Sequence, residues 1–270
     1  MEISIRQAKY FVHIEGHGSP VLFLHGFTGD SSSWDSIVKI VSAHAQCISI
    51  DLPGHGKTVM PKQDPSRFSM EEVCRDIGLI LEHLNIPIID AAGYSMGGRT
   101  ALAFAALYPE KVRKLILESA SPGLKSVNQR EDRKQQDENL ARFIEREGMA
   151  AFVDLWENIP LFNTQKKLAS ELQKQIRVKR LQNKPENLAA SLRGMGTGSQ
   201  PSLWGTLKKL EHETILLTGE LDQKFCKIAD EMEKWMPNAK KWVIPETGHA
   251  IHVEQPEKFG TIIKEFLIND

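Results

Sequence analysis

An excess of charge of either sign and a long apolar run are both missing from this sequence. Its 270 residues include 34 basic and 35 acidic side chains, which leaves a formal net charge of −1. A near-neutral chain has no general attraction to nucleic acid or to an anionic membrane surface. No uninterrupted apolar stretch approaches the roughly 18 residues that a membrane span needs. We therefore expect neither nucleic acid nor a membrane to be a partner of this chain.

Cysteine is also scarce. The three cysteines, Cys47, Cys74 and Cys226, lie far apart and form no Cys-x-x-Cys pair, which argues against a disulfide framework and a zinc site. No group of carboxylates and histidines has the spacing of metal ligands, so we expect no metal and no other cofactor. Residues 1–6 alternate like a strand and lack the basic-then-apolar layout of a signal peptide. We expect a cytoplasmic protein that is a monomer or a weak homo-oligomer.

Short apolar runs recur along the chain, and each is followed by turn residues and then by a helical pattern. Strands are predicted at residues 21–24, 47–50, 88–89, 115–117, 214–218 and 242–244, and helices near 34–43, 69–84, 96–108, 223–236 and 256–267. Strand–helix alternation is typical of a mainly parallel sheet covered by helices on both faces. We expect an α/β fold of this kind, with residues 3–15 forming an antiparallel hairpin at one edge.

One region interrupts this alternation. Residues 122–210 contain no convincing strand and read as several polar helices, including 126–147, 150–157 and 165–182. A solvated helical appendage would have such a composition. The position of the region between two strands favours a helical cap that lies over their carboxyl ends. We therefore divide the chain into a core of residues 1–121 and 211–270 and a cap insertion of residues 122–210.

A serine lies between two glycines where a predicted strand gives way to a predicted helix. Residues 93–98 read Gly-Tyr-Ser-Met-Gly-Gly and follow the apolar stretch 87–92. Gly93 and Gly97 suit a turn so tight that a β-carbon at either position would clash. Such a turn would expose the hydroxyl of Ser95 at the edge of the sheet, at the positive end of a helix. The serine is therefore a candidate nucleophile or base.

A serine hydroxyl needs an imidazole to take its proton, and the imidazole needs a carboxylate to fix its tautomer. Asp222 follows the predicted strand 214–218, and His249 follows the next strand. The order Ser95, Asp222, His249 is the order of an α/β-hydrolase triad, and all three residues are expected at one edge of the sheet. Asp222 could instead be a helix N-cap. Among the nine histidines, the competitors of His249 are His25, His55 and His252.

Such a triad also needs a site for an oxyanion. Residues 25–29, His-Gly-Phe-Thr-Gly, follow the first core strand, where a backbone amide can face the serine. An oxyanion site is conventionally built from that loop and from the residue after the nucleophile. The amides of Phe27 and Met96 are therefore the expected donors, although a His-Gly pair can also be a simple turn.

Together these segments resemble the α/β-hydrolase superfamily. The motifs that carry the resemblance are His25-Gly26-Phe27, Asp51-Leu52-Pro53-Gly54-His55-Gly56, Gly93-Tyr94-Ser95-Met96-Gly97-Gly98 and Gly248-His249. A narrower resemblance is to the family of 2-succinyl-6-hydroxy-2,4-cyclohexadiene-1-carboxylate synthases. It is carried by Arg99 directly after the serine motif, by Ser121-Pro122-Gly123-Leu124, by Arg133, and by Arg180-Leu181-Gln182-Asn183 before Asn187-Leu188-Ala189-Ala190-Ser191-Leu192.

The narrower resemblance implies a substrate with several carboxylates. Arg99, Arg133 and Arg180 would then bind those carboxylates, because a guanidinium binds a carboxylate at two points. Tyr94 and Trp156 would line the pocket by the same resemblance. Independently of it, Arg99 lies four residues after Ser95 and therefore on the same helix face. Alternative arginines on the same predicted helices are Arg130, Arg142 and Arg177.

The resemblance also implies the reaction. Members of the family eliminate pyruvate from a cyclohexene polycarboxylate, a small-molecule substrate, with the serine acting as a base. We therefore expect a carbon–oxygen lyase of menaquinone biosynthesis. The motifs equally fit a serine hydrolase, such as a carboxylesterase, a thioesterase or a carbon–carbon bond hydrolase, acting on a carboxylate-bearing substrate. A non-catalytic receptor or interaction protein on the same fold is the third alternative.

Overall fold

The computed structural model describes residues 1–61 and 64–268, and these contain an eight-stranded sheet. In chain order the strands are β1 (Glu2–Ile5), β2 (Ala8–Glu15), β3 (Ser19–Leu24), β4 (Ala45–Ile50), β5 (Ile89–Tyr94), β6 (Val112–Glu118), β7 (Glu213–Gly219) and β8 (Ala239–Ile244). Their spatial order is β1-β2-β4-β3-β5-β6-β7-β8. The pairs β1–β2 and β2–β4 are antiparallel, and every other pair is parallel. The predicted edge hairpin is thereby confirmed.

Helices connect the strands and cover both faces of the sheet. They are α1 (Asp35–Val41), α2 (Met70–His83), α3 (Met96–Leu107), α4 (Val127–Trp156), α5 (Ser170–Leu181), α6 (Pro185–Met195), α7 (Gln223–Trp235), α8 (Ile251–Glu254) and α9 (Pro256–Ile268). Buried residues of α2, α3 and α7 form one apolar layer with the sheet, and those of α1 and α9 form the other. Burial on both faces explains why the central strands are continuous apolar runs. The α/β fold predicted from the sequence is confirmed.

The segment between β6 and β7 is helical, and its helices pack on one another through a third apolar cluster of α4 and α6. It differs from the prediction at residues 165–182. A 3-10 helix covers Pro160–Lys167, the chain is extended at Leu168, and α5 begins only at Ser170. Helix α4 is interrupted at Gly148, whose φ of 78° and ψ of 178° are not helical. The two predicted helices 126–147 and 150–157 therefore correspond to the two parts of α4.

No helix within residues 1–61 and 64–268 has both the length and the apolar character needed to cross a bilayer.

Candidate active site

Ser95 occupies a strained turn between β5 and α3. Its φ of 51° and ψ of −105° are unusual for a residue with a side chain. A β-carbon at Gly97 would lie 1.9 Å from the carbonyl oxygen of Leu24, and one at Gly93 would lie 2.3 Å from that of Gly97. The backbone amide of Ser95 donates a 2.8 Å hydrogen bond to the carbonyl of Glu118 on β6. The two glycines thus allow the close approach that holds the serine at this edge of the sheet.

The sheet edge brings Ser95, His249 and Asp222 together. His249 Nε2 lies 3.0 Å from Ser95 Oγ, and His249 Nδ1 lies 2.6 Å from Asp222 Oδ2. The imidazole and the carboxylate are both buried. The other oxygen of Asp222 accepts a 3.3 Å hydrogen bond from the amide of Phe225, so the same side chain is also the N-cap of α7. One oxygen of Asp222 thus contacts the imidazole and the other caps α7.

The three competing histidines face other partners. His252 Nδ1 lies 2.8 Å from the Glu118 carboxylate. The amide of Leu52 donates to His25 Nε2, while His55 Nδ1 lies 3.1 Å from the carbonyl of Pro53. Burial lowers the pKa of both His25 and His55, the latter to about 3 with a further contribution from His25. Among the described residues, His249 alone of these four is hydrogen-bonded to Ser95.

Met96 directly follows the serine in the chain, and Phe27 belongs to the loop after β3. Met96 is the first residue of α3, so its N–H has no partner within the helix. Phe27 follows Gly26, where a β-carbon would lie 2.5 Å from the ring of Tyr94. In residues 1–61 and 64–268 neither amide donates a hydrogen bond to another group of the chain. Both residues line the cavity that contains Ser95, and both amides are free to donate to an anion.

A cavity of about 440 Å³ lies against Ser95 and His249. Its polar wall includes Arg99 and Arg133, together with Ser119 and Ser191. Its apolar wall is formed by residues from the core and from the chain between β6 and β7, namely Phe27, Leu140, Trp156, Phe162, Leu192 and Met195. The cavity can hold a small organic anion with its reacting carbon close to the serine.

Arg99 is buried and has no carboxylate partner among the described residues. Its NH1 donates to the carbonyl of Met195 at 2.8 Å and to Gln200 Oε1 at 2.7 Å, and both acceptors are neutral. Burial and the nearby Arg133 lower the pKa of Arg99 to about 10, although Asp137 opposes this shift. The guanidinium therefore remains charged at neutral pH. An uncompensated buried cation in a cavity can bind a carboxylate strongly.

Arg133 lines the same cavity from α4. Its Nε donates to Asp137 Oδ1 at 2.7 Å, and its NH1 and NH2 groups have no hydrogen-bond partner in the described part of the chain. The alternative arginines do not line the cavity. Arg130 donates to the carbonyls of Leu124 and Lys125, and Arg142 and Arg177 are in ion pairs with Glu138 and with Asp154 and Glu157 respectively.

Arg180 lies in an adjoining cavity of about 340 Å³ rather than in the cavity of Ser95. The two cavities share the side chains of Phe27, Tyr94 and Phe162. Arg180 is buried, donates to Gln165 Oε1 at 3.0 Å, and lies 4.9 Å from the centre of the Phe162 ring. Burial lowers its pKa. The structure therefore groups Arg99 and Arg133 and separates them from Arg180 by an aromatic wall.

Trp156 and Tyr94 are part of that wall. The Trp156 ring lies 5.5 Å from those of Phe27 and Phe152 and 5.9 Å from that of Phe162. The Tyr94 ring lies 5.3 Å from that of His249. Burial, together with the charge of Glu118, raises the pKa of the Tyr94 phenol. Both aromatic residues line the cavity of Ser95.

Sequence reasoning missed Gln200 and Phe162. Gln200 is buried and holds Arg99, and Phe162 separates the two cavities. Neither residue belongs to a motif, and both lie between β6 and β7, where only packing decides which side chains reach the site. Across the described ranges, no group of three or more His, Cys, Asp or Glu side chains could hold a metal ion.

The chain is similar to known proteins over nearly its whole length. Residues 19–256 match the family described as the alpha/beta hydrolase fold. A protein of Bacillus subtilis (strain 168), provisionally assigned as a 2-succinyl-6-hydroxy-2,4-cyclohexadiene-1-carboxylate synthase, is 44% identical over 261 residues, which are 96% of this chain and 94% of that protein.

Two further comparisons agree with this. The 2-succinyl-6-hydroxy-2,4-cyclohexadiene-1-carboxylate synthase of Escherichia coli O7:K1 is 30% identical over 89% of this chain and 92% of its own length. The solved structure of MenH from S. aureus superposes with a TM-score of 0.91 at 37% identity, covering 96% of this chain and 97% of that one.

Proposed function

This chain belongs to the α/β-hydrolase family and, within it, to the family of the 2-succinyl-6-hydroxy-2,4-cyclohexadiene-1-carboxylate synthases. We therefore propose that it is a lyase. Its reaction would eliminate pyruvate from 2-succinyl-5-enolpyruvyl-6-hydroxy-3-cyclohexene-1-carboxylate in menaquinone biosynthesis, giving 2-succinyl-6-hydroxy-2,4-cyclohexadiene-1-carboxylate. The observation that carries the proposal is the buried Arg99, which lies in the cavity of Ser95 and has no carboxylate partner within residues 1–61 and 64–268.

Ser95, His249 and Asp222 would act as a catalytic triad. The Asp222 carboxylate orients the imidazole and stabilises its charged form, so His249 Nε2 can take the proton of the Ser95 hydroxyl across 3.0 Å. The serine oxygen then removes the ring proton α to the succinyl carbonyl. In this role the serine is a base, and no acyl-enzyme forms.

Removal of that proton leaves an enolate, and the amides of Phe27 and Met96 would stabilise its oxygen. Backbone donors that stabilise a tetrahedral oxyanion can equally stabilise an enolate. As the carbonyl re-forms, the electron pair passes through the ring double bond and breaks the ring carbon–oxygen bond to the enolpyruvyl group. The leaving group departs as the enolate of pyruvate and takes up the abstracted proton from the triad, which returns Ser95 and His249 to their starting state.

The arginines would bind the carboxylates of the substrate. Arg99 and Arg133 are in the cavity where the chemistry takes place, and the aromatic side chains Tyr94 and Trp156 would line the ring. Arg180 would bind a carboxylate that reaches past Phe162 into the adjoining cavity. In this proposal residues 122–210 are the cap, and residues 1–121 and 211–270 form the catalytic core.

A serine hydrolase acting on a carboxylate-bearing substrate is the second candidate. The hydrogen bond between Ser95 and His249 favours it as much as it favours the lyase, because an activated serine can also attack an ester carbonyl. The lyase needs several carboxylate contacts, whereas an esterase for apolar esters gains nothing from a buried cation.

We further propose that the enzyme is cytoplasmic, is a monomer or a weak homo-oligomer, and uses no metal or other cofactor.

The deciding experiment compares two reactions. Pyruvate release from 2-succinyl-5-enolpyruvyl-6-hydroxy-3-cyclohexene-1-carboxylate is measured beside hydrolysis of a short p-nitrophenyl ester, with the wild type, Ser95→Ala and Arg99→Ala. We expect rapid pyruvate release that Ser95→Ala abolishes and Arg99→Ala strongly lowers, with little ester turnover. Rapid ester hydrolysis without pyruvate release would contradict the lyase and leave the hydrolase.

A further inference from the structure

A buried glutamate touches both chain segments that carry the reacting side chains. Glu118 is the last residue of β6 and is fully buried. Its carbonyl oxygen accepts the 2.8 Å hydrogen bond from the backbone amide of Ser95. Its carboxylate faces His252, which lies three residues after His249 in the chain. One residue thus contacts the segment of the serine with its main chain and the segment of the imidazole with its side chain.

The contact between Glu118 and His252 is extensive. The amide of His252 donates to Glu118 Oε1 at 3.0 Å, and His252 Nδ1 lies 2.8 Å from Oε2 and 3.0 Å from Oε1. The His252 ring stacks on Trp34 at 4.7 Å and lies 4.7 Å from the ring of Tyr94. Since Tyr94 directly precedes Ser95, this packing connects the two segments a second time.

Two other carboxylates contact the loop between β8 and α8, which contains His249. Asp222 orients the imidazole ring of His249, and Glu254 accepts a 2.8 Å hydrogen bond from the amide of Gly248. Neither of these carboxylates is hydrogen-bonded to the serine segment, as far as the described chain goes. Of these three residues, Glu118 alone is therefore hydrogen-bonded both to Ser95 and to the segment of His249 within the described chain.

We infer that Glu118 and His252 are a positioning pair that holds the imidazole of His249 at hydrogen-bonding distance from Ser95. The inference rests on the proposed role of Ser95 and His249. A displacement of about 1 Å between reacting groups can lower a rate by about 100-fold. Breaking the pair should therefore slow every reaction that starts with transfer of the serine proton, without changing how the carboxylates of the substrate bind at Arg99.

The test uses labelling of Ser95 by a fluorophosphonate, which needs the triad but not the cyclohexene substrate. Glu118→Gln removes the charge at constant shape, and we expect the second-order rate constant of labelling to fall 10- to 100-fold. In the pyruvate assay kcat should fall by a similar factor while KM stays within twofold. His252→Asn, whose amide can replace the Nδ1–H donor, should recover labelling to within fivefold of the wild type, and His252→Leu should not.

Asp76→Asn is the matched control. Asp76 is another fully buried carboxylate, which accepts from Tyr10 and Arg67 near the edge hairpin and lies outside the site. We expect this substitution to lower Tm and leave the labelling rate of the folded protein unchanged. Equal effects of Glu118→Gln, His252→Leu and Asp76→Asn on labelling, at a temperature where all are folded, would overturn the inference.

The remaining outcomes are also decisive. If Glu118→Gln does not fold, the comparison of His252→Asn with His252→Leu decides, and equal labelling of these two contradicts the pair. A wild type that is labelled but releases no pyruvate would contradict the lyase and leave the positioning pair intact. A wild type that is not labelled would contradict the role of Ser95 itself.

Discussion

Arg99 donates a 2.7 Å hydrogen bond to Oε1 of Gln200, so the arginine on core helix α3 is held by a side chain from beyond the end of α6. An arginine can only donate, and the amide oxygen of Gln200 must therefore face it. The carbonyl of Met195 provides the second acceptor at 2.8 Å. These neutral oxygens fix the guanidinium without neutralising it, and its charge stays available to a bound anion.

Arg99→Met should weaken substrate binding strongly. Methionine keeps the apolar volume, whereas the charged hydrogen bonds to a carboxylate are lost, and these contribute about 1.5–3 kcal/mol. We expect KM for the cyclohexene polycarboxylate to rise roughly 10- to 100-fold. Steady-state kinetics of pyruvate release measures this. Arg146→Met is the control, because the Arg146 side chain is 76% exposed and pairs with Glu147 at the surface. Equal KM values for the two variants would show that Arg99 does not bind substrate.

Asp222→Asn should separate the two tasks of Asp222. The asparagine oxygen can still accept from the amide of Phe225 and cap α7, so we expect little change in Tm. The amide no longer fixes the tautomer of His249 or stabilises its charge, and kcat should fall by a factor on the order of 10³–10⁴. Pyruvate release and thermal unfolding are measured in parallel, with Asp230→Asn on the exposed side of α7 as the control. An unchanged kcat would mean that Asp222 acts as an N-cap alone.

The sequence predicted those parts of the molecule whose geometry follows from local chain chemistry. Apolar runs between turn residues predicted the central strands, and the glycines around Ser95 predicted its turn, because each depends on neighbouring residues. The contact of Gln200 with Arg99 could not be predicted, since it depends on how the chain between β6 and β7 packs on α3. The place of Arg180 beyond Phe162 depends on the same packing. The extended Leu168, which delays the start of α5, carries no turn signal of its own.

Acidification should destabilise the protein through His55. The folded state lowers the pKa of His55 from 6.5 to about 3 because the imidazole is buried beside His25. Between these two values the unfolded chain binds a proton that the folded chain does not, so stability falls as pH falls through this window. One such group contributes at most about 1.4 kcal/mol per pH unit.

The measurement is urea unfolding of the wild type and His55→Phe at several pH values from 7 to 4. Phenylalanine can occupy the aromatic site next to Phe27 without titrating. The substitution should lower stability at pH 7, because the hydrogen bond to Pro53 is lost, but it should reduce the dependence of stability on pH. Parallel curves for the two proteins would contradict the assignment of this proton uptake to His55.

Gly148→Ala should destabilise the break in α4. The φ of 78° and ψ of 178° at Gly148 lie in a region that is essentially restricted to glycine, where another residue costs about 1–3 kcal/mol. A β-carbon at this position would meet no atom within 4 Å, so the cost comes from the backbone alone. The break lies between Arg133 and Trp156, and a straightened helix would move these two cavity residues relative to each other.

We therefore expect Gly148→Ala to lower Tm by several degrees and to raise KM for the cyclohexene polycarboxylate. Gly205→Ala is the matched control, since a β-carbon there also meets no atom within 4 Å and the φ of Gly205 is not in the positive region. Thermal unfolding and the pyruvate assay compare the two variants. If Tm falls equally in the two variants, the glycine at position 148 is not required by its backbone conformation. A lower Tm with an unchanged KM would show that the break stabilises α4 without placing Arg133 and Trp156 for the substrate.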